Sequence, residues 1–248
     1  MKPLRAIVTG GATNIGRAIS EAFLNAGGRV VVGQPDVSVA DSLIKEYGDR
    51  IEVLSLDLSE ASQCRSFIDA AVKWLGGLDV LVNNAAITGP GSVETLAEVS
   101  AESFRKMVNV NVGGVLFCSQ AAVPYLKESG QGVIVHISSI NAIRPQRGAI
   151  VYAATKAAVS SLTQSMAKEL AADRIRVVAV APGDIQIDNS GQVEREQASR
   201  GIVSDVSLQT PLGRGEPKDV AATVMFLCSD GAKFVTGTTW LVDGGLLA

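Results

Sequence analysis

The sequence predicts an α/β fold: a doubly wound parallel sheet flanked by helices, built as one domain over residues 1–248. Three observations carry this expectation. Short β-rich runs alternate with apolar-periodic helical segments along the whole chain, the pattern of right-handed βαβ units. A Gly-rich turn, T-G-G-A-T-N-I-G from Thr9 to Gly16, joins the first such run to the first helical one. The 248 residues are 47% apolar with 25 Gly and few aromatics, which suits a single layered core of Ala, Val and Leu.

Leu4 to Thr9 is the first strand, and it ends in the Gly-rich turn. The segment after it places Ile15, Ile19, Ala22 and Phe23 on one helical face and stops at Gly27-Gly28. Strand, turn and helix together form a phosphate cradle, in which backbone N–H groups and the helix dipole face a pyrophosphate. A Gly-rich turn alone is weak evidence; here a strand leads into it and a helix leaves it. Arg29 to Gly33 is the second strand, followed by Gln34-Pro35-Asp36. A helix from about Ser38 to Tyr47 leads to a third strand, Ile51 to Leu56. Asp57 ends it, and either Asp57 or Ser59 caps the helix from about Glu60 to Leu75. A fourth strand, Leu78 to Val82, runs into Asn83-Asn84-Ala85-Ala86, at the sheet edge where ligands bind in open parallel sheets.

A long helical stretch from about Ser100 to Glu128 carries Asn111. Asn is a poor residue for a helix interior, so its place there suggests a role. The fifth strand, Val133 to Ser138, is closed by Ser139. Beyond it, Tyr152 and Lys156 open an Ala-rich helix as Y-A-A-T-K. A sixth strand, Arg174 to Ala181, ends in Pro182-Gly183, and the polar segment Asp188 to Gly215 reads as a mobile lid. A helix from about Pro217 to Ser229 and a strand from Thr238 to Val242 lead to Asp243-Gly244-Gly245.

Residues four apart share one helical face, which sets Lys156 beneath Tyr152. A free phenol has a pKa of about 10, and a cation within roughly 4–6 Å lowers it. The pair thereby predicts an acid/base for near-neutral pH, with the Ser139 hydroxyl placed to bind the same substrate oxygen. By itself a Tyr–Lys pair is usually surface decoration; the motifs around it change the reading. His136, three residues before Ser139 on a buried strand, reads as a core histidine facing away from it.

Composition excludes several classes. A net charge of −3 without Lys/Arg runs argues against nucleic acid or anionic membrane as partner. One histidine makes a metal centre unexpected, and Cys64, Cys118 and Cys228 lack metal or redox spacing, as buried thiols of a reducing compartment would. Met1-Lys2-Pro3 runs straight into a strand without a signal peptide, and no apolar run reaches the roughly 18 residues of a membrane span. The cytoplasm is the expected location.

Taken together, the Gly turn, N-N-A-A, the helical Asn111, Ser139, Y-A-A-T-K, Pro182-Gly183 and the closing V-D-G-G resemble the short-chain dehydrogenase/reductase family, in its order and over nearly the whole chain. The resemblance implies a Rossmann-like fold and hydride exchange between a nicotinamide and a carbonyl/alcohol pair. Tyr152 would be the proton donor or acceptor, and Lys156 would lower its pKa and hold the nicotinamide ribose. Ser139 would orient the substrate oxygen, and Asn111 would hold a water linking Lys156 to solvent. The dinucleotide would lie against Gly10, Thr13, Asn14, Ile15, Gly16, Gln34, Asp57, Leu58, Asn84, Ala85, Ala86, Pro182, Gly183, Ile185 and Ile187, besides Tyr152 and Lys156. A homotetramer is implied too, with the apolar terminal segment from Thr238 to Ala248 at an interface. Four positions depart from the family pattern: Asn14 and Ala86 where Gly is usual, Val178 for Asn, and Ile187 for Thr. Asn tolerates the left-handed conformation, so the turn is expected to survive.

Gln34, at the end of the second strand, is neutral where an acidic residue would select the unphosphorylated ribose. No Lys or Arg lies from Gln34 to Ile44 to bind a 2′-phosphate, and Asp36 would add negative charge if the Pro35 turn brings it round. NAD is therefore expected over NADP, with modest discrimination. Substrate contacts are expected from Thr88 to Val93, Asn141 to Ile150 and the lid. Arg144 and Arg147 are either a solvated loop or a grip on a polar substrate. The expected substrate is a small secondary alcohol, sugar or polyol and its ketone. The alternatives are a 3-oxoacyl-carrier-protein reductase and a non-catalytic dinucleotide sensor.

Overall fold

The computed structural model describes residues 3–188, 190–202 and 209–248; positions 189 and 203–208 of the expected lid lie outside the described residues. Seven parallel strands form one sheet: β1 (Arg5–Thr9), β2 (Arg29–Gln34), β3 (Ile51–Ser55), β4 (Val80–Asn83), β5 (Val133–Ile137), β6 (Arg176–Pro182) and β7 (Thr239–Val242). Their order is β3-β2-β1-β4-β5-β6-β7. The chain winds outward from β1 to β3, then returns to β4 on the other side of β1. That reversal opens a crevice at the carboxyl ends of β1 and β4, where Thr9 pairs with Asn83. The doubly wound α/β class is as predicted.

Around the sheet lie α1 (Asn14–Asn25), α2 (Asp41–Tyr47), α3 (Ala61–Leu75), α4 (Ala101–Val108), α5 (Gly114–Ser129), α6 (Ile150–Leu170), α7 (Ser190–Ser199) and α8 (Pro217–Leu227). Alternate strand residues feed two cores, because successive side chains leave opposite faces. Ala6, Val8, Val30 and Val32 pack with Ile19 and Phe23 of α1 and Val220 and Val224 of α8. Ile7, Val31, Leu81 and Ile134 pack with Phe67 and Ile68 of α3 and Ala122 and Leu126 of α5. Burial on both faces is why these strands read as unbroken apolar runs.

Three local expectations are corrected. The stretch from 100 to 128 is not one α-helix: a π-helical turn, Asn109–Gly113, separates α4 from α5, and Asn111 sits within it. Neither Asp57 nor Ser59 caps α3, whose N-cap is Glu60; Asp57 accepts from Ser59 N–H at 2.9 Å and Ser59 Oγ–H at 2.7 Å instead. The helical run Ala101–Ser129 does contain a window long and apolar enough for a membrane span, with mean hydropathy 1.2. It is nonetheless a core element, since Cys118, Ala121, Ala122 and Leu126 are buried against α3 and the sheet.

His136 is fully buried, its Nδ1 2.9 Å from Thr163 Oγ1 and its Nε2 3.4 Å from Ser119 Oγ. Burial, aided by the Lys156 charge, pushes its pKa down to about 3. It is the satisfied core histidine expected.

Candidate active site

The Gly-rich turn is built on close approach. Gly10 has φ +64°, and a Cβ on Gly16 would lie 2.0 Å from the Gly10 carbonyl oxygen. Only glycine lets α1 start that near the end of β1. Asn14 adopts φ +49°, the left-handed conformation expected of it. No acidic residue sits in the first turn of α1, so its positive end stays available to an anion. Asn84 holds the turn from the side: its Nδ2 donates to Thr9 O at 3.0 Å and Gly10 O at 3.1 Å. Thr9 Oγ1 in return accepts from Asn84 N–H and Ala85 N–H, at 3.0 and 3.1 Å. This clamp is not visible in sequence, where paired Asn residues read as turn formers.

A cleft of about 840 Å³ runs from this turn along the carboxyl edge of the sheet. Every catalytic and cofactor residue expected above lines it except Asn111; Thr88, the first of the expected substrate contacts, lines it too, and Ile87 and Lys106 join the walls unforeseen. Gln34 contributes a buried Oε1 without a hydrogen-bond partner. Asp36 does not come round to join it: its carboxylate accepts from Ser38 N–H at 3.0 Å and Ser38 Oγ–H at 2.7 Å, capping a short 3₁₀ turn.

At the far end, the first two turns of α6 carry Tyr152 and Lys156. Lys156 is 4% exposed; its Nζ donates to Ile137 O at 2.7 Å and lies 5.7 Å from the centre of the Tyr152 ring. Burial lowers its pKa to about 8. The expectation that Lys156 depresses the Tyr152 pKa is corrected. Burial raises that pKa, and the opposing influences are hydrogen bonds from the Ser139 and Thr88 side chains. The ammonium is directed at the β5 carbonyl, and desolvation of a phenolate outweighs what remains of its field. Thr88, expected only as a substrate contact, is thus also a partner of the phenol.

Ser139 follows β5 and caps a short 3₁₀ turn, its Oγ accepting from Asn141 N–H at 3.1 Å. Asn111 is 1% exposed and acts as a clamp. Its Oδ1 accepts from Ile87 N–H at 2.7 Å, and its Nδ2 donates to Ile87 O and Thr155 Oγ1, both at 3.2 Å. Its carboxamide thus engages the neighbour of Lys156 rather than Lys156. Within the described part of the segment 188–215, Arg200 pairs with Glu98 and Glu196, and Arg214 with Asp184 and Glu194. Arg144 bonds Gln209 Oε1 at 3.0 Å and Leu246 O at 3.4 Å, while Arg147 is exposed.

Comparison with known proteins places this geometry. A family model described as Enoyl-(Acyl carrier protein) reductase matches residues 10–247. The chain is similar to a 3-oxoacyl-[acyl-carrier-protein] reductase of Thermotoga maritima, 36% identical with 97% of this chain and 96% of that protein covered. It is similar also to a 3alpha-hydroxysteroid dehydrogenase of Mediterraneibacter gnavus, 39% identical with 96% and 95% covered. Among solved structures, a Brucella melitensis 3-ketoacyl-(acyl-carrier-protein) reductase complexed with NADH superposes with a TM-score of 0.87, 31% identity and 98% of both chains covered. The chain belongs to the short-chain dehydrogenase/reductase family. As a short-chain dehydrogenase/reductase it is an NAD(P)-dependent oxidoreductase acting on CH–OH groups.

The residues present fit a nicotinamide dinucleotide. The Gly10–Gly16 cradle has no room for a Cβ, and the helix end behind it is free of carboxylates. The orphaned Gln34 Oε1 waits for a donor where β2 ends. In this short-chain dehydrogenase/reductase the phenol, two hydroxyls and a buried ammonium then share the cleft's other end. That set can hold a carbonyl oxygen and pass it a proton.

Proposed function

We propose that the protein interconverts an uncharged secondary alcohol, such as a small alcohol, sugar or polyol, and its ketone, with NAD as the hydride carrier. The nicotinamide, when bound, supplies or accepts the hydride. Tyr152 gives its phenolic proton to the oxygen in reduction and takes it back in oxidation. Ser139, with Thr88 beside it, holds that oxygen in line with the phenol. Charge develops on the oxygen as hydride arrives, and a positioned acid and donor are what it needs. Lys156 supplies a positive charge one turn below and would hold the nicotinamide ribose. Asn111 fixes the Ile87 backbone and the hydroxyl of Thr155, the residue before that lysine. The Gly10–Gly16 turn would hold the dinucleotide's phosphates, and Gln34, Asp57 and Leu58 its adenosine end. Ala85, Ala86, Pro182, Gly183, Ile185 and Ile187 line the cleft between that turn and Tyr152 and would hold the rest of it.

The observation that carries this reading is that the protonated phenol, its two hydroxyl partners and the glycine cradle open onto one cleft. The substrate class rests on the lid. Arg200 and Arg214 are each held by two carboxylates, so neither is available to grip an anion. A second reading, reduction of a 3-oxoacyl group on a carrier protein, has the support of the two related reductases. Absorbance of reduced nicotinamide at about 340 nm distinguishes them. Turnover with alcohols, sugars or ketones and none with 3-oxoacyl thioesters is expected; the reverse result replaces the first reading with the second.

The preference for NAD is supported by Gln34, whose unpartnered oxygen can accept from a ribose hydroxyl but not from a 2′-phosphate. A homotetramer is supported by the free edge of the sheet, where Phe234 is fully exposed, Leu241 is 46% exposed and Phe226 packs on Trp240 at 5.5 Å. The three buried, unpaired cysteines support a cytoplasmic location.

A further inference from the structure

One side chain joins two segments far apart in sequence. Asn14 Oδ1 accepts a hydrogen bond from the Asp188 N–H at 2.8 Å, linking the glycine-rich turn to the foot of the lid. Among the described residues only Asn14 and Arg174 hold positive φ without being glycine. Glycine would take φ +49° at no cost, so a carboxamide there bears a backbone cost and contributes a bond that glycine lacks. The Asp188 N–H is the third in a run of engaged amides. Gln186 N–H donates to Gly215 O at 2.8 Å and Ile187 N–H to Ser190 Oγ at 3.0 Å. Asn14 and Ile187 line the same cleft, so the bond ties two of its walls together.

We propose that Asn14 is a positioning residue whose carboxamide straps the lid to the phosphate turn, so that a dinucleotide in the cleft leaves only when the strap opens. The release half of this rests on the dinucleotide reading given above; the strap itself does not. Asn14→Gly removes the strap and relieves the backbone, whereas Asn14→Asp keeps an acceptor oxygen and tolerates the left-handed turn.

The test measures hydrogen exchange at the amides of residues 186–188 in the cofactor-free protein, NADH release by stopped-flow fluorescence, and Tm. Loss of one net hydrogen bond predicts exchange and NADH release both faster by about 2- to 10-fold in Asn14→Gly, with Tm unchanged or higher. Asn14→Asp is expected to restore the slow exchange. Unchanged exchange in Asn14→Gly overturns the strap, and faster exchange with unchanged NADH release overturns its hold on the dinucleotide. If the wild-type protein binds no dinucleotide, the cofactor reading falls, and exchange alone decides the strap.

Discussion

Burial acts on Tyr152 and Lys156 in opposite directions, raising the phenol and lowering the ammonium to about 8, because it favours the neutral form of each. Tyr152 therefore enters the reaction as an acid at neutral pH, which suits ketone reduction. Ketone reduction is expected to hold across neutral pH and to weaken above about pH 8, as Lys156 loses its charge. Removing only the phenolic oxygen isolates the proton step. Tyr152→Phe is expected to lower kcat by about 10²–10⁴-fold while dinucleotide binding stays nearly intact. A variant keeping more than about a tenth of wild-type kcat at saturating substrate would contradict the role. At the other end of the cleft, Gln34 is the residue on which cofactor choice turns. NAD is expected to be favoured by about tenfold in kcat/KM, Gln34→Asp to sharpen that preference, and Gln34→Arg to erode or reverse it. A wild-type ratio favouring NADP would refute the assignment.

At the scale of elements, the π-turn and the glycine cradle show what sequence spacing reveals and what it hides. The i, i+4 spacing of Tyr152 and Lys156 and the strand–turn–helix order of Thr9 to Gly16 are local, so the sequence displays them. Asn111 is conspicuous as a poor helix former, yet its function as a clamp on Ile87 depends on the π-turn, which no local preference announces. Thr88 is legible as a substrate contact, but its hydrogen bond to the phenol joins residues 64 positions apart, which no local spacing displays. Asp36 fails as a cofactor residue because Ser38, two positions on, is a nearer partner than a ribose. The cradle itself allows a sharp test. Gly16→Ala would place a methyl 2.0 Å from the Gly10 carbonyl and 2.5 Å from Asn84 Nδ2, breaking the clamp or pushing α1 away. Overpacking of this kind costs about 1–3 kcal/mol, so a lower Tm and weaker dinucleotide binding are expected together. A variant with wild-type values of both would mean the cradle yields without cost.

For the whole molecule, the free edge at β7 and the buried charges set two expectations. Light scattering at micromolar concentration is expected to show a tetramer, and a monomer would leave Phe234 and Leu241 unexplained. The pH dependence of stability follows from groups the fold holds away from their ordinary values. His136 stays neutral down to about pH 3 in the folded protein, whereas an unfolded chain protonates it below the ordinary value of 6.5. The unfolded state then binds the extra proton, so stability falls as pH drops from 6.5, by at most about 1.4 kcal/mol per pH unit. Lys156 acts at the other end: the folded protein releases its proton near 8, the unfolded chain only near 10.5, so stability gains from it as pH rises between those values. Asp36 and Asp57 are held below the ordinary carboxylate value of 3.8, and their contribution is lost only at lower pH than the first stage of the histidine's. The window from pH 6.5 to about 4.5 therefore belongs to His136, the one histidine in the chain. Urea midpoints across that window are expected to fall in the wild-type protein and to flatten in His136→Asn, whatever that variant loses in absolute stability. Equal slopes in the two proteins would show that the imidazole is not held neutral by the core, and would remove the basis for reading His136 as a packed residue.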